Sequence, residues 1–140
     1  MIEVIHIVIC DNKEKELEKI INKERTVLLR GGASRRIPHS RIFINDDLYF
    51  VKKGENVSYY HAVVINSDFY SKLTNEEIED IFEKYKNELN LIEEEERKWK
   101  KKCITVINFD GLEKIDGLKI PSYTALEDWI MINDLSEIEN

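Results

Sequence analysis

In the opening ten residues, Ile2, Val4 and Val8 fall on one side of an extended chain, and Ile5, Ile7 and Ile9 fall on the other. Apolar positions on both parities predict a strand buried on both faces. Asp11, with Glu14 three residues on, is a capping-box signature, and Leu17, Ile20 and Ile21 give the stripe of a short helix ending near Asn22. Strand character returns at residues 26–30 (TVLLR). Gly31-Gly32 interrupts it, and residues 31–40 read as a loop whose far end is held extended by Pro38. Three further strand-like runs follow at 41–44, 48–53 and 57–67, with turn chemistry at 45–47 and 54–56. Connections this short favour antiparallel hairpins.

Alternation then gives way to helical periodicity. Thr74 and Glu77 form a capping box, and Ile78, Ile81, Phe82, Tyr85 and Leu89 repeat at helix spacing. A second box, Asn90 with Glu93, restarts the helix after a kink near residues 87–90. Glu93, Glu94 and Glu96 precede Arg97, Lys98 and Lys100 by four residues each, the spacing of ion pairs on a solvated helix face. Residues 103–109 (CITVINF) predict another strand, 110–111 a turn, and 118–121 the closing of the core region. Residues 123–133 fit a short helix followed by a strand (WIMI), before an acidic tail at about 134–140. The chain therefore reads as one domain over 1–140, with a helical insertion at about 74–102. Its class is α+β, with mostly antiparallel strands.

At 140 residues and 16.6 kDa there is room for one core, and 42% apolar residues suffice to fill it. The net charge of −7 excludes a uniformly basic nucleic-acid binder. Cys10 and Cys103 make no CxxC pair and read as buried small hydrophobes in a reducing compartment. The first apolar run is half the length of a membrane span and lacks the flanks of a signal peptide, so a cytoplasmic protein without membrane contact is expected. His6, His39 and His61 share no metal-ligand spacing. His6 and His61 sit within strands as satisfied core or cleft residues, which leaves His39, beside Ser40, as the histidine best placed for function. Gly31-Gly32 fits neither a Walker A loop nor a dinucleotide fingerprint, and no carboxylate pair stands apart for glycosidase work. No cofactor, metal or catalytic residue is assigned. The aromatics at Tyr49, Phe50, Tyr59, Tyr60, Phe69 and Tyr70 serve core packing, with base stacking as the alternative, and Trp99 and Trp129 read as docking residues.

Charge is unevenly placed. Residues 23–41 hold six cations (Lys23, Arg25, Arg30, Arg35, Arg36, Arg41) against Glu24 alone, a local charge of +5 that leaves −12 for the rest of the chain. A basic zone on an acidic body suits local capture of an anion, and arginine suits bidentate phosphate contact and base stacking. Gly31, Gly32, Ala33 and Ser34 are small enough to admit a ligand close to the backbone. The candidate binding set is Arg25, Arg30, Arg35, Arg36 and Arg41, with Gly31, Gly32, Ser34, His39 and Ser40 between them. Ion pairing with the acidic body, or a protein interface, would use the same arginines.

The run NKERTVLLR at 22–30, the basic loop after it, DLYF at 47–50 and AVVI at 62–65 resemble the ASCH group of the PUA-like superfamily. Thr26 and Arg30 match that group's threonine and strand arginine. Asp46-Asp47 stands where it has Gly-Asp, and Thr74 stands where its helix begins. The resemblance spans roughly residues 15–110, on short and permissive motifs. It implies a small pseudo-barrel with helices around it and a cleft between them, binding RNA or a modified nucleoside or nucleotide. One bacterial branch hydrolyses an acylated cytidine with a lysine, a threonine and a glutamate. Here Arg25 holds the lysine's position and Leu28 the threonine's, and an arginine that stays protonated cannot act as that base. Glu76 or Glu77 would be left for the third role. A binding module for RNA or a modified nucleoside is therefore the expected function. An amidohydrolase and a protein-interaction or regulatory domain are the alternatives.

Overall fold

A computed structural model describes residues 4–132. Six strands, β1 (Ile5–Cys10), β2 (Val27–Gly32), β3 (Asp47–Lys52), β4 (Val57–Tyr70), β5 (Cys103–Lys119) and β6 (Trp129–Ile132), form one sheet in the order β2-β5-β4-β3-β1-β6. The β1–β3 pair is parallel, and every other neighbouring pair is antiparallel. Four helices complete the chain: α1 (Glu16–Ile21), then α2 (Asn75–Lys84), α3 (Lys86–Leu89) and α4 (Glu93–Trp99) in the insertion. None of the described helices is long and apolar enough to cross a membrane.

Alternation in the strands divides the interior. Leu28 packs with Val8, Leu48, Phe50, Val64 and Ile107 in the hollow of the curled sheet. Its neighbours Val27 and Leu29 point the other way, against Ile78, Ile81, Phe82 and Leu89 of the helical insertion. On β1, Ile5, Ile7 and Ile9 face a third cluster with Val51, Ile120 and Ile132. The period of two thus places β2 between barrel and helices, with consecutive side chains serving different cores.

Several elements depart from the sequence reading, each for a local reason. Asp11 does cap, accepting the Lys13 and Glu14 amides, but it caps a turn. The helix starts later, after Lys15 in a left-handed conformation (φ 54°). Gly31-Gly32 does not interrupt β2 but extends it, pairing with Ile104 and Cys103. Residues 41–44 form no strand. They run along β4 through turns fixed by Phe43 N–H donating to Asp46 Oδ2 (2.9 Å) and Asn45 N–H to the Val64 carbonyl (2.8 Å). The Ile37–Pro38 peptide in the preceding loop is cis.

In the insertion, Thr74 and Glu77 form the expected box. The second box is displaced: Asn90 ends α3 in a left-handed conformation (φ 48°), and Glu95 accepts the Ile92 amide instead. Of the three expected i,i+4 pairs, Glu93–Arg97 forms (3.3 Å), whereas Lys98 turns to Glu14 and Lys100 to Glu79. The turn at 110–111 is absorbed into β5, which continues along β4 through register shifts. Of the ambiguous segment 123–133, the described part contains β6 and no helix, and the acidic tail at 134–140 lies outside the described residues. Cys10 and Cys103 are buried free thiols.

Candidate functional site

The two edge strands of the sheet meet through one side chain. Arg30, on the barrel-facing parity of β2, lies between Trp99 at the end of α4 and Trp129 of β6, with guanidinium-to-ring distances of 5.0 and 5.6 Å. Glu16 of α1 grips the same guanidinium from behind, with Nη2–Oε1 at 2.8 Å and Nη1–Oε2 at 3.1 Å. Two indole faces and a bidentate carboxylate hold the arginine in one orientation. Burial alone would lower the Arg30 pKa, but the Glu16 carboxylate raises it overall. Burial likewise pushes Glu16 up, and Arg30 and Arg25 outweigh it and hold its carboxyl below the usual range.

Arg25 continues this network inward. Its Nη1 donates to Glu16 Oε2 (2.9 Å) and Glu95 Oε2 (2.9 Å), and its Nη2 to Glu95 Oε1 (2.8 Å) and the Asn90 carbonyl (3.1 Å); Nε donates to the Leu89 carbonyl. At 1% exposed, with Glu95 at 0%, Arg25 ties α1, α3 and α4 to the start of β2. Its donors are taken, so it leaves the candidate binding set and serves as architecture. The same geometry weakens the amidohydrolase reading. A guanidinium fixed on every nitrogen is no base, Leu28 is fully buried without a hydroxyl, and Glu77 is committed to its cap.

A narrow cleft opens beside Arg30. Besides Arg30, its lining includes Gly31, Gly32, Ser34, Arg36 and His39, with Trp99, Thr105 and Asp128. Its free volume is about 10 Å³, room for one water. A wider hollow of about 440 Å³ lies beside Tyr59, Tyr60 and Lys114 and contains none of the candidate binding set. Within the cleft wall, the Arg30 Nε–H is buried with no hydrogen-bond partner among the described residues. An unsatisfied buried donor costs about 1–3 kcal/mol, so an acceptor placed there is favoured. Gly31 has a role the sequence did not suggest. A Cβ there would collide with the Trp99 carbonyl oxygen, so glycine lets α4 close over β2.

Arg35, Arg36 and Arg41 behave differently from Arg25 and Arg30. All three are exposed, and none forms an ion pair among the described residues; Arg35 makes one long contact to Ser71 Oγ (3.4 Å). His39 is buried and donates from Nε2 to the Tyr70 carbonyl (3.0 Å), which leaves Nδ1 to accept the Ser40 hydroxyl (2.8 Å). Ser40 adopts φ 62° and is exposed, outside the cleft lining. The structure therefore brings Arg30, Gly31, Gly32, Ser34, Arg36 and His39 to one cleft and sets Arg35, Ser40 and Arg41 on the adjoining surface.

His6 closes the far side of the network. The Trp129 indole N–H donates to His6 Nδ1 (3.0 Å), and His6 Nε2–H donates to Asp46 Oδ2 (2.9 Å). An indole can only donate, so His6 is neutral with its proton on Nε2. Burial lowers its pKa from 6.5, against the upward pull of Asp46. His61 is bracketed by Asp47 (2.8 Å) and Glu113 (3.1 Å) on the β3–β5 surface. Among the described residues, no group of three or more acids, histidines and cysteines could hold a metal ion.

Glu16, Glu95, Trp99, Trp129, His6 and Asp46 were not picked out as site residues from the sequence, yet one signal was present. In the run 93–96, each glutamate has a cation four residues on except Glu95, whose partner position is Trp99. That exception marks the buried face of α4.

The curled, mixed six-stranded sheet with its helical cover is an α+β half-barrel whose fold matches that of solved ASCH structures. The structure of ASCH from Zymomonas mobilis superposes on 91% of this chain and 87% of its own, with a TM-score of 0.66 and 12% identity. Tyrosine-to-phenylalanine and serine-to-alanine mutants of that protein give TM-scores of 0.68 and 0.67 at 11% identity, each covering 94% of this chain, with 91% and 89% of their own lengths matched. At this identity the likeness is one of fold. No family model and no curated protein matches the sequence.

Proposed function

We propose that this chain is a binding module for RNA or a modified nucleoside, with the base entering the cleft beside Arg30 and phosphate lying on Arg35, Arg36 and Arg41. The observation that carries the reading is the Arg30 Nε–H, buried, oriented by Glu16 and two indoles, and lacking an acceptor among the described residues. Around it stand further groups suited to a polar planar ligand: the Thr105 hydroxyl, the Asp128 carboxylate and the Arg36 guanidinium. A base has both donors and acceptors on its edge, and this wall offers partners for both. The cleft has room for about one water, so a base enters only if the lining moves, and Arg36 and Ile37 are among its exposed lining side chains.

Both tryptophans of the chain, Trp99 and Trp129, flank Arg30, so their fluorescence reports on this place. Titration with a short single-stranded RNA and with N4-acylated and unmodified cytidines should give a saturable change for at least one of them. Arg36→Gln should weaken it. A flat response to every ligand would remove the cleft from consideration, and turnover of the acylated cytidine would revive the hydrolase alternative.

A further inference from the structure

The cleft does not end at His39. The His39 ring lies 5.6 Å from that of Phe69, and Phe69 meets Phe43 edge-on with centroids 6.0 Å apart. Phe43 is 56% exposed, Ile44 beside it 60%, and Ile37 on the cleft wall 44%. Rings therefore lead from the cleft onto open surface. The outer end is held by a built turn. Asp46 Oδ2 accepts the Phe43 amide, the Asp46 carbonyl accepts the Val64 amide, and Asn45 takes φ 75°. The same Asp46 oxygen anchors to His6, so the turn that presents Phe43 is tied to the interior.

The loop beside this strip is basic, while Asp46 and Asp68 adjoin its Phe43 and Phe69 ends. Residues 33–45 contain Arg35, Arg36 and Arg41 and no acid. Arg35 reaches Ser71, two residues beyond Phe69 on the same chain segment. Exposed apolar area on a soluble domain marks a contact surface. Aromatic faces interleaved with unpaired guanidiniums suit a polyanion carrying flat apolar groups, which is the chemistry of an unpaired nucleic-acid strand. Duplex RNA keeps its bases stacked on one another and offers nothing to the rings.

We propose that Phe69, Phe43 and Ile44 form a stacking track for single-stranded RNA, continuing from the base in the cleft along the arginine side. The natural ligand is then a strand, and a free nucleoside makes only part of the contact. This rests on the binding reading above and adds to it the class of ligand.

Fluorescence anisotropy of a labelled oligouridylate dodecamer with the full chain tests the track, beside a blunt RNA duplex of equal length. The strand should bind at least tenfold tighter than the duplex. Phe43→Ala should weaken strand binding about tenfold, within the loss expected for one stacked base, and Phe43→Trp should restore it. The salt dependence should be the same in Phe43→Ala as in wild type, since no charge is removed. Phe43 is exposed, so an unchanged melting temperature will confirm that Phe43→Ala is folded.

Equal strand affinity in wild type and Phe43→Ala would overturn the track while leaving the cleft reading intact. A tryptophan response to a nucleoside, with no strand binding, would do the same. No response to either would defeat both. Concentration-dependent self-association abolished by Phe43→Ala, without RNA binding, would assign the strip to protein contact instead.

Discussion

Two groups of arginines, a few residues apart in sequence, have opposite surroundings. Arg25 and Arg30 are buried and clamped by Glu16 and Glu95, and among the described residues one Arg30 nitrogen is left without a partner. Arg35, Arg36 and Arg41 are exposed, with no acid holding them among the described residues. Arg30 sits on β2, where alternation turns it toward the barrel, and Arg25 stands just before that strand, under the helices. The second group sits on a loop, where nothing compels burial. A local charge of +5 is therefore a poor measure of binding potential: two of its six cations are spent on internal acids before any ligand arrives. Arg30 is architectural through Glu16, and its buried Nε–H has no partner among the described residues.

If this division is right, stability and binding should separate on mutation. The largest effect on stability belongs to Arg25→Met, which strands Glu95 and takes from Glu16 one of its two arginines. A loss of about 3–5 kcal/mol is expected by chemical denaturation, and the Arg25→Met/Glu95→Met double variant should recover much of it. Equal losses in the single and double variants would mean that the pair acts through packing rather than charge. Gly31→Ala comes next, at about 1–3 kcal/mol, because the added methyl must push the Trp99 carbonyl away.

Acid sensitivity gives a smaller, directional effect. His6 is a base with a folded pKa below 6.5, so as pH falls under that value the unfolded chain takes up a proton that the folded chain refuses. Stability is therefore full above 6.5, declines below it, and levels off once the folded state protonates. Melting temperatures from about pH 8 to about pH 5 should show the decline, and His6→Phe should flatten it. Glu16 acts in a lower window: its folded pKa is depressed, so its contribution is present above 4.5 and lost as pH drops through the folded value. The smallest effect on stability is expected for Arg35→Gln/Arg36→Gln/Arg41→Gln, within about 0.5 kcal/mol of wild type.

Most of the strands and the helical insertion were readable because period-two and helical patterns depend on local spacing alone. TVLLR at 26–30 and the Thr74 box are instances. The run 41–44 misled because its apolar residues are held by Asp46 and Val64, contacts that no local pattern encodes. The basic loop itself could be seen as a candidate. The partition of its arginines could not, since it depends on Glu16 and Glu95 arriving from α1 and α4. Gly31-Gly32 looked like a break because glycine usually is one, whereas here the space it leaves is filled by Trp99.

The account depends most on the exposed arginines being the phosphate contacts, and the salt dependence of oligouridylate affinity measures that directly. Each phosphate neutralised on a single strand adds about 0.7 to the slope of log affinity against log salt. Replacing Arg35, Arg36 and Arg41 with glutamine should make the slope shallower by about two, with stability unchanged. Wild-type affinity and slope in that triple variant would contradict the account.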